Sequence, residues 1–393
     1  MLKQVFNKEQ LSKVISSTDV WRWDLLPKFG DVDASLEQTI GYWKKNDLYL
    51  SPIKTKVVNG KIVFTPSRVE DAFAIKLLDR FIRRIYKVRQ SDRNRIVKQV
   101  LTLLKDSGDY HVLRLDIKNC YESISFEKMI AKFQDDLILS PDCIKLLNNI
   151  NQQLKNGCGF HGLPRGLSIS PTLAELYLEE LDKKIASNND VIYSARYVDD
   201  IILITTTNKK KKLEIDLNNI LVDMGLEFNE SENKKFSGSS TNANFNYLGY
   251  SISVTAKTNK PNQVDVTISK SKINKIKFRI LKSLYENNKN RDLKILKRRI
   301  EFLSLLKVVK KGRNGNLLAG IAHNYQHSTD NFESLKTIDG FLINQLNNSR
   351  FNLTPLEIAK IKKISFYGNA RKGSTGKFTR KQTAKIMQVW KHV

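Results

Sequence analysis

The stretch "RYVDDIILIT" at 196–205 sets two adjacent carboxylates, Asp199 and Asp200, between two β-rich apolar runs, "VIYSARYV" before and "IILITT" after. Runs of this length joined by a polar dipeptide read as two strands and a tight turn. The turn then carries a double negative charge at the lip of a strand that reads as fully buried. A carboxylate taken out of water without a partner costs several kcal/mol or more. Any fold this chain adopts must therefore bring cations to that tip.

A second acidic strand end lies upstream. "HVLRLDI" alternates toward a core and closes on Asp116. If the two strands are neighbours in one sheet, Asp116 and Asp199 converge at its edge. That arrangement suits two Mg²⁺ ions about 4 Å apart, the pair that supports in-line phosphoryl transfer. Magnesium takes carboxylates and substrate phosphates, so no His/Cys cage is needed, and Mn²⁺ is a substitute.

Around these ends the chain alternates strands and helices. "SPIKTKVVNGKIVFTPS" reads as a hairpin turning at Asn59-Gly60 and carrying Lys54, Lys56 and Lys61. Ser67 and Glu70 have capping-box spacing ahead of a helix with apolar Val69, Phe73, Leu77, Leu78, Phe81, Ile82 and Ile85. A second helix is expected over 91–104, helical material over 125–156, a helix in "PTLAELYLEELDKKIA", and one in "KKLEIDLNNILVDMG" that stops at Gly225. Short strands are expected around "LEFN" and "NYLGYSISV". Helices on one face of a mainly antiparallel sheet make an α+β domain.

Charge points to the partner. The 393 residues hold 67 Lys+Arg against 40 Asp+Glu, a formal charge of +27, which suits a polyanion such as nucleic acid. From Lys257 to Arg313 there are 18 Lys/Arg and four acidic residues, and the segment reads as helical, as in "LKILKRRIEFLSLLKVV". Thr354, Pro355 and Glu357 mark a further helix start. The tail "RKGSTGKFTRKQ" reads as a segment that orders on RNA. Cys120, Cys143 and Cys158 lack CxxC spacing, which argues against a disulfide framework or zinc site. The start lacks an apolar signal core and no run of 18 apolar residues occurs, so no membrane partner is expected and the cytoplasm is the expected compartment. His323 and His327, four apart, lack a third ligand and read as packing residues, as do His111 and His161.

Four ordered stretches resemble the motifs of reverse transcriptases. "RLDIKNCYESI" (114–124) is similar to motif A, "HGLPRGLSISPTLAELYL" (161–178) to motif B, "YVDD" (197–200) to motif C and "FNYLGYSIS" (245–253) to the primer grip. The resemblance runs from about residue 50 to 255, and the basic C-terminal region takes the place of a thumb. It implies an α+β right-hand polymerase: an N-terminal segment and fingers over 1–110, an RRM-like palm with an antiparallel sheet over 111–256, and a helical basic thumb and RNA-binding region over 257–393.

Carried over residue by residue, the resemblance makes Asp116 and Asp199 metal ligands, with Asp200 at the second acidic position and the Ile117 carbonyl completing the coordination. Tyr121 matches the steric gate against a 2′-hydroxyl. Gly166 and Ser170, in "GLSISP", match small residues beside the template and incoming nucleotide. Lys54, Lys56 and Lys61 are candidates to grip the triphosphate, and Arg93 and Arg95 to touch template. Arg165 departs from the family, which usually has Gln there, and adds a bidentate phosphate donor. Lys234 lies just beyond the usual offset of the motif D lysine, held here by Glu232, and is the expected general acid for pyrophosphate.

The motifs are most similar to bacterial abortive-infection and defence-associated reverse transcriptases. The expected activity is RNA-directed DNA synthesis from dNTPs, copying an RNA template or structured noncoding RNA, with a second polymerase or effector subunit or a homo-oligomer among the partners. The alternative is a template-independent or protein-primed nucleotidyl transferase. Intact Asp116, Asp199, Asp200 and Tyr121 disfavour a non-catalytic RNA-binding subunit.

Overall fold

The computed structural model describes residues 3–58, 60–206, 210–312 and 315–390. Helices α1 (Lys8–Ser12), α2 (Ser17–Arg22), α3 (Leu25–Phe29) and α4 (Val32–Lys45) lead into the hairpin β1 (Lys54–Val58) and β2 (Lys61–Thr65). There follow α5 (Val69–Ile85), α6 (Arg93–Leu104), β3 (Tyr110–Asp116) and the single turn α7 (Cys120–Ser123). Next come α8 (Phe126–Asp135), α9 (Pro141–Cys158), α10 (Ser170–Ala186), β4 (Val191–Tyr197), β5 (Asp200–Thr206) and α11 (Lys210–Asp223). The remainder is β6 (Phe236–Ser239), β7 (Asn244–Tyr247), β8 (Tyr250–Lys257), β9 (Lys260–Ile268), α12 (Lys270–Asn290) and α13 (Leu293–Ser304). It ends with β10 (Leu306–Gly312), β11 (Gly315–Ala319), α14 (Ile321–Asn324), α15 (Lys336–Leu346), α16 (Pro355–Lys362), α17 (Phe366–Lys372), β12 (Thr375–Gly376) and α18 (Arg380–Met387). No helix among the described residues is long and apolar enough to cross a membrane.

Two compact units result: Met1–Ser91 with Leu113–Lys235, and Asp92–Val112 with Phe236–Val393. In the first, β5 lies between β4 and β3. Ile201 to Thr205 are all buried, which is why this run shows no polar alternation. Period-two geometry sends Leu113, Leu115 and Ile117 into one hydrophobic cluster with Ile201, Leu203, α5 and α10. The same alternation turns Arg114 and Asp116 to the opposite face. α5 buries Phe73, Leu77, Leu78, Phe81 and Ile82 in that cluster, as its spacing requires.

The second unit contains the antiparallel sheet β7–β8–β9, the order β11–β10–β12, and helices α12 to α18. Buried Ile280 and Leu284 of α12 and Leu296 and Ile300 of α13 contribute to its interior. Thr354 and Glu357 form the capping box of α16 with Pro355 in its first turn, as the sequence indicates.

Several local expectations fail for identifiable reasons. The Ser67–Glu70 capping box does not form: the Ser67 hydroxyl donates to the Pro52 carbonyl, and α5 begins after Arg68 with no side-chain cap. In the turn of the β1–β2 hairpin, Gly60 has φ +73°, while Asn59 lies outside the described residues. "LEFN" supplies only an isolated bridge, Ile117 to Phe228, and "NYLGYSISV" is two strands turning at Leu248-Gly249. The segment expected to be helical holds β9 and β10, where β-branched pairs such as Val308-Val309 favour extended backbone. The C-terminal tail is folded: β12 pairs with β10, α18 carries a Thr379–Gln382 capping box, and buried Trp390 donates to the Arg279 carbonyl.

One buried carboxylate in the first unit has a testable cost. Asp71 on α5 is 1% exposed, accepts a hydrogen bond from the Ser51 N–H at 3.2 Å, and leaves Oδ1 without a partner among the described residues. Burial pushes its carboxyl up to about 6. The native state thus holds a proton that the unfolded chain has released between the ordinary carboxylate range and about 6, so stability falls as pH rises through that window. Asp71→Asn should raise stability at pH 7 by about 1–2 kcal/mol and flatten that pH slope, as read by denaturant melts at pH 5 and 7.

Candidate active site

Asp116 closes β3, and Asp199 and Asp200 sit where β4 turns into β5. Tyr197 pairs with Asp200, leaving Val198 and Asp199 as a two-residue turn. Val198 has φ +61°, a left-handed conformation in which a β-branched residue is strained. Two contacts hold it. The buried Arg196 guanidinium donates to the Val198 carbonyl at 3.0 Å while also gripping Glu175 at 2.9 Å and Asp182 at 2.7 and 2.9 Å. The Ile117 N–H donates to the Asp199 carbonyl at 3.0 Å, tying the turn to the end of β3.

These constraints bring carboxylate oxygens of Asp116, Asp199 and Asp200 to within 4.8 Å of one another. Asp116 is 3% exposed. Its oxygens accept from Lys234 Nζ at 2.7 Å and Asn229 Nδ2 at 3.1 Å. Asp200 Oδ1 accepts from the buried Arg114 at 2.8 Å, and Arg114 also donates to the Asn233 carbonyl at 2.7 Å. Burial first, then the like charges of Asp200 and Asp116, push the Asp199 carboxyl above the ordinary carboxylate range. The cluster offers only carboxylate oxygens. Cations already stand against Asp116 and Asp200, and Asp199 is destabilised as an anion. Hard oxygen donors with excess negative charge fit a divalent metal ion.

The remaining sequence-derived candidates are partly gathered here. Tyr121 lies half-buried on α7, with the Arg165 guanidinium 4.8 Å from its ring centre. Arg165 Nε and an Nη are bound to both Glu122 oxygens, at 2.7 and 2.9 Å, so those two donors are already spent on a carboxylate. Lys61 reaches the same carboxylate at 3.4 Å and donates to Asn119 at 2.7 Å, whereas Lys54 and Lys56 are exposed on β1. Gly166 has φ +99°, and a Cβ there would collide with the Phe64 carbonyl, so β2 fills the room it leaves. The Ser170 hydroxyl is buried and donates to the Pro164 carbonyl at 2.6 Å, closing the loop before α10.

Arg93 is used otherwise than expected. It donates to the Leu248 and Asn324 carbonyls and stacks on Tyr250 and Tyr325 inside the second unit. His327 packs beside Tyr250 beyond the end of α14, so it shares no helical face with His323. Sequence reading overlooked Arg114, Arg196, Asn229 and Glu122. For the two arginines a signal existed: a charge inside an otherwise apolar strand needs a buried partner.

Carboxylates gathered at the ends of neighbouring strands can hold the divalent metals that nucleotidyl transfer uses. The family described as reverse transcriptase (RNA-dependent DNA polymerase) matches residues 52–252, just over half of the chain, and the chain belongs to it. Its fold is accordingly α+β, of the right-hand polymerase kind. No curated protein matches the sequence. Among solved structures, apo telomerase from Candida tropicalis, truncated from its C-terminal domain, is 17% identical with a TM-score of 0.40, over 57% of this chain and 55% of that one. Candida tropicalis telomerase in complex with a TWJ fragment of telomeric RNA is 14% identical with a TM-score of 0.41, over 92% and 68%. The corresponding Candida albicans complex is 13% identical with a TM-score of 0.38, over 90% and 65%. The chain thus spans about half the length of the truncated telomerase.

Proposed function

We propose that this protein is an RNA-directed DNA polymerase that adds dNTPs to a primer end with two Mg²⁺ ions, copying a cognate structured noncoding RNA in anti-phage defence. The convergence of Asp116, Asp199 and Asp200 within 4.8 Å supports the chemistry. Mg²⁺ held there would activate the primer 3′-hydroxyl and offset the charge of the departing pyrophosphate, and Mn²⁺ suits the same donors. Asp116 and Asp199 are the ligands in this reading, with Asp200 assisting and the Ile117 carbonyl completing the set.

The other residues have binding and proton-transfer roles. Lys234, 2.7 Å from Asp116, is positioned to protonate pyrophosphate once another cation takes over that carboxylate. Tyr121 stands as the gate against a 2′-hydroxyl. Arg165, Gly166 and Ser170 shape the nucleotide side of the site, and Lys54, Lys56 and Lys61 supply cationic charge to the triphosphate. Fingers over 1–110, palm over 111–256 and a basic thumb over 257–393 follow from the motif order. The 18 Lys/Arg between Lys257 and Arg313 suit phosphate contacts that ignore sequence.

The defence role rests on the likeness of "GLPRGLSISPTLAELYLEELD" and "LDIKNCYESI" to abortive-infection enzymes. A cytoplasmic setting and a second polymerase, effector subunit or second copy as partner belong to the same reading. Sequencing the nucleic acid and product that co-purify with the protein tests it. DNA complementary to a bound RNA is the expected result. A random or homopolymeric product, or one attached to protein, would instead establish the template-independent or protein-primed alternative.

A further inference from the structure

The gate residue sits on weak local support. α7 is one turn long, entered through Asn119 at φ +47° and without a side-chain N-cap. Four residues of helix cannot fix a ring by themselves, because an isolated turn is far below the length at which helices hold. Selecting against a single hydroxyl requires the ring to be placed within a fraction of an ångström, since it works by collision.

The support comes from the loop before α10. The Leu163 N–H donates to the Tyr121 carbonyl at 2.7 Å, and the missing side chain of Gly162 lets that loop lie against the Tyr121 and Glu122 backbone. Arg165 then spans two neighbours at once. Its guanidinium carbon lies 4.8 Å from the Tyr121 ring centre while two donors grip the Glu122 carboxylate at 2.7 and 2.9 Å. A forked, planar cation can stack and make a bidentate bond together, which neither lysine nor glutamine can do. Burial opposes the charge on Glu122, and the Arg165 guanidinium overcomes it, holding that carboxyl below its ordinary range. The β1–β2 hairpin joins at the same point: the Phe64 N–H donates to the Arg165 carbonyl at 2.7 Å, and Lys61 reaches Glu122.

We infer that Arg165 and Glu122 are positioning residues for sugar selection: their ion pair clamps the Tyr121 ring, so that the arginine standing where the family usually has glutamine sharpens the preference for deoxynucleotides. The inference rests on Tyr121 acting as the gate. With the clamp released, the ring gains freedom to tilt away from a 2′-hydroxyl, and ribonucleotides gain relative to deoxynucleotides without new contacts to either.

The test compares kcat/KM for matched rNTP and dNTP in primer extension by Arg165→Gln, Glu122→Gln, their double variant and Tyr121→Val, each in the full chain. Arg165→Gln and Glu122→Gln should each raise the rNTP/dNTP ratio about tenfold, and the double variant no further than either single, because both remove one interaction. General structural damage lowers both substrates together and leaves the ratio in place. Should Tyr121→Val shift the ratio while both clamp variants stay within about twofold of the parent, the clamp is refuted and the gate stands. An Arg165→Gln variant that raises KM for both nucleotides equally would also refute it, making Arg165 a direct triphosphate contact. If Tyr121→Val leaves the ratio unchanged, the gate assignment itself fails.

Discussion

Asp199→Asn is expected to lower primer extension by about three orders of magnitude, because losing a carboxylate ligand forfeits several kcal/mol of charge stabilisation at about 1.4 kcal/mol per decade. The same substitution should leave the fold intact and even raise its melting temperature slightly. Asp199 is half-buried beside Asp116 and Asp200, and burial together with their charges already makes its anion unfavourable. A neutral amide of the same shape removes that repulsion at pH 7. Its backbone carbonyl keeps the bond from the Ile117 N–H, so the turn has no reason to move. Single-nucleotide incorporation with Mg²⁺ and with Mn²⁺, alongside a thermal melt, reads both effects. Normal extension by this variant would remove Asp199 from the site. Lost extension with a collapsed melt would make its role structural.

The second large effect is on stability. Arg196→Met should destabilise the first unit by about 3–5 kcal/mol, the usual result of leaving a buried charge without its partner. Arg196 and Glu175 are each at most 9% exposed in their side chains, and among the described residues Arg196 satisfies Glu175, Asp182 and the strained Val198 carbonyl together. A melting temperature lower by roughly 10 °C follows for a unit of this size. Arg196→Lys should recover little, because an ammonium cannot reproduce a planar fork with three acceptors. The stranded Glu175 gives the loss a pH signature. Burial already raises its carboxyl above the ordinary range, and without Arg196 the anion is less favourable still. Protonation then neutralises it, so the deficit should shrink as pH falls through the raised range of that carboxyl. A deficit independent of pH would point to lost packing rather than to an uncompensated charge.

Much of the site was legible because the signal was local. Asp199 and Asp200 stand in a strand–turn–strand pattern, and Asp116 ends an alternating run whose period sets it on the face opposite Leu113 and Leu115. In the first unit α5 follows from its apolar spacing, while the sequence reading set no element over α1 to α4 or α7. Failures came where a local cue had a distant competitor. Ser67 and Glu70 have the spacing of a capping box, yet the serine hydroxyl found the Pro52 carbonyl. The fork of Arg165, expected to donate to phosphate, also has a partner that no local cue indicates, a carboxylate 43 positions away in sequence. Arg93 looked like a template contact and is consumed by carbonyls 155 and 231 positions away.

By itself the sequence determined which residue types could meet and what they would demand: acidic ends on apolar strands, a surplus of cations, and an order of motifs held by one family. Those are properties of spacing and composition, and they survive whatever the chain does elsewhere. Only the tertiary structure decided which cation answers which carboxylate. Lys234 takes Asp116, Arg114 takes Asp200, Arg196 takes Glu175 and Asp182, and Arg165 takes Glu122. The reason is that charge pairing reaches only a few ångströms, and separation along the chain says nothing about that distance until the strands have been set side by side.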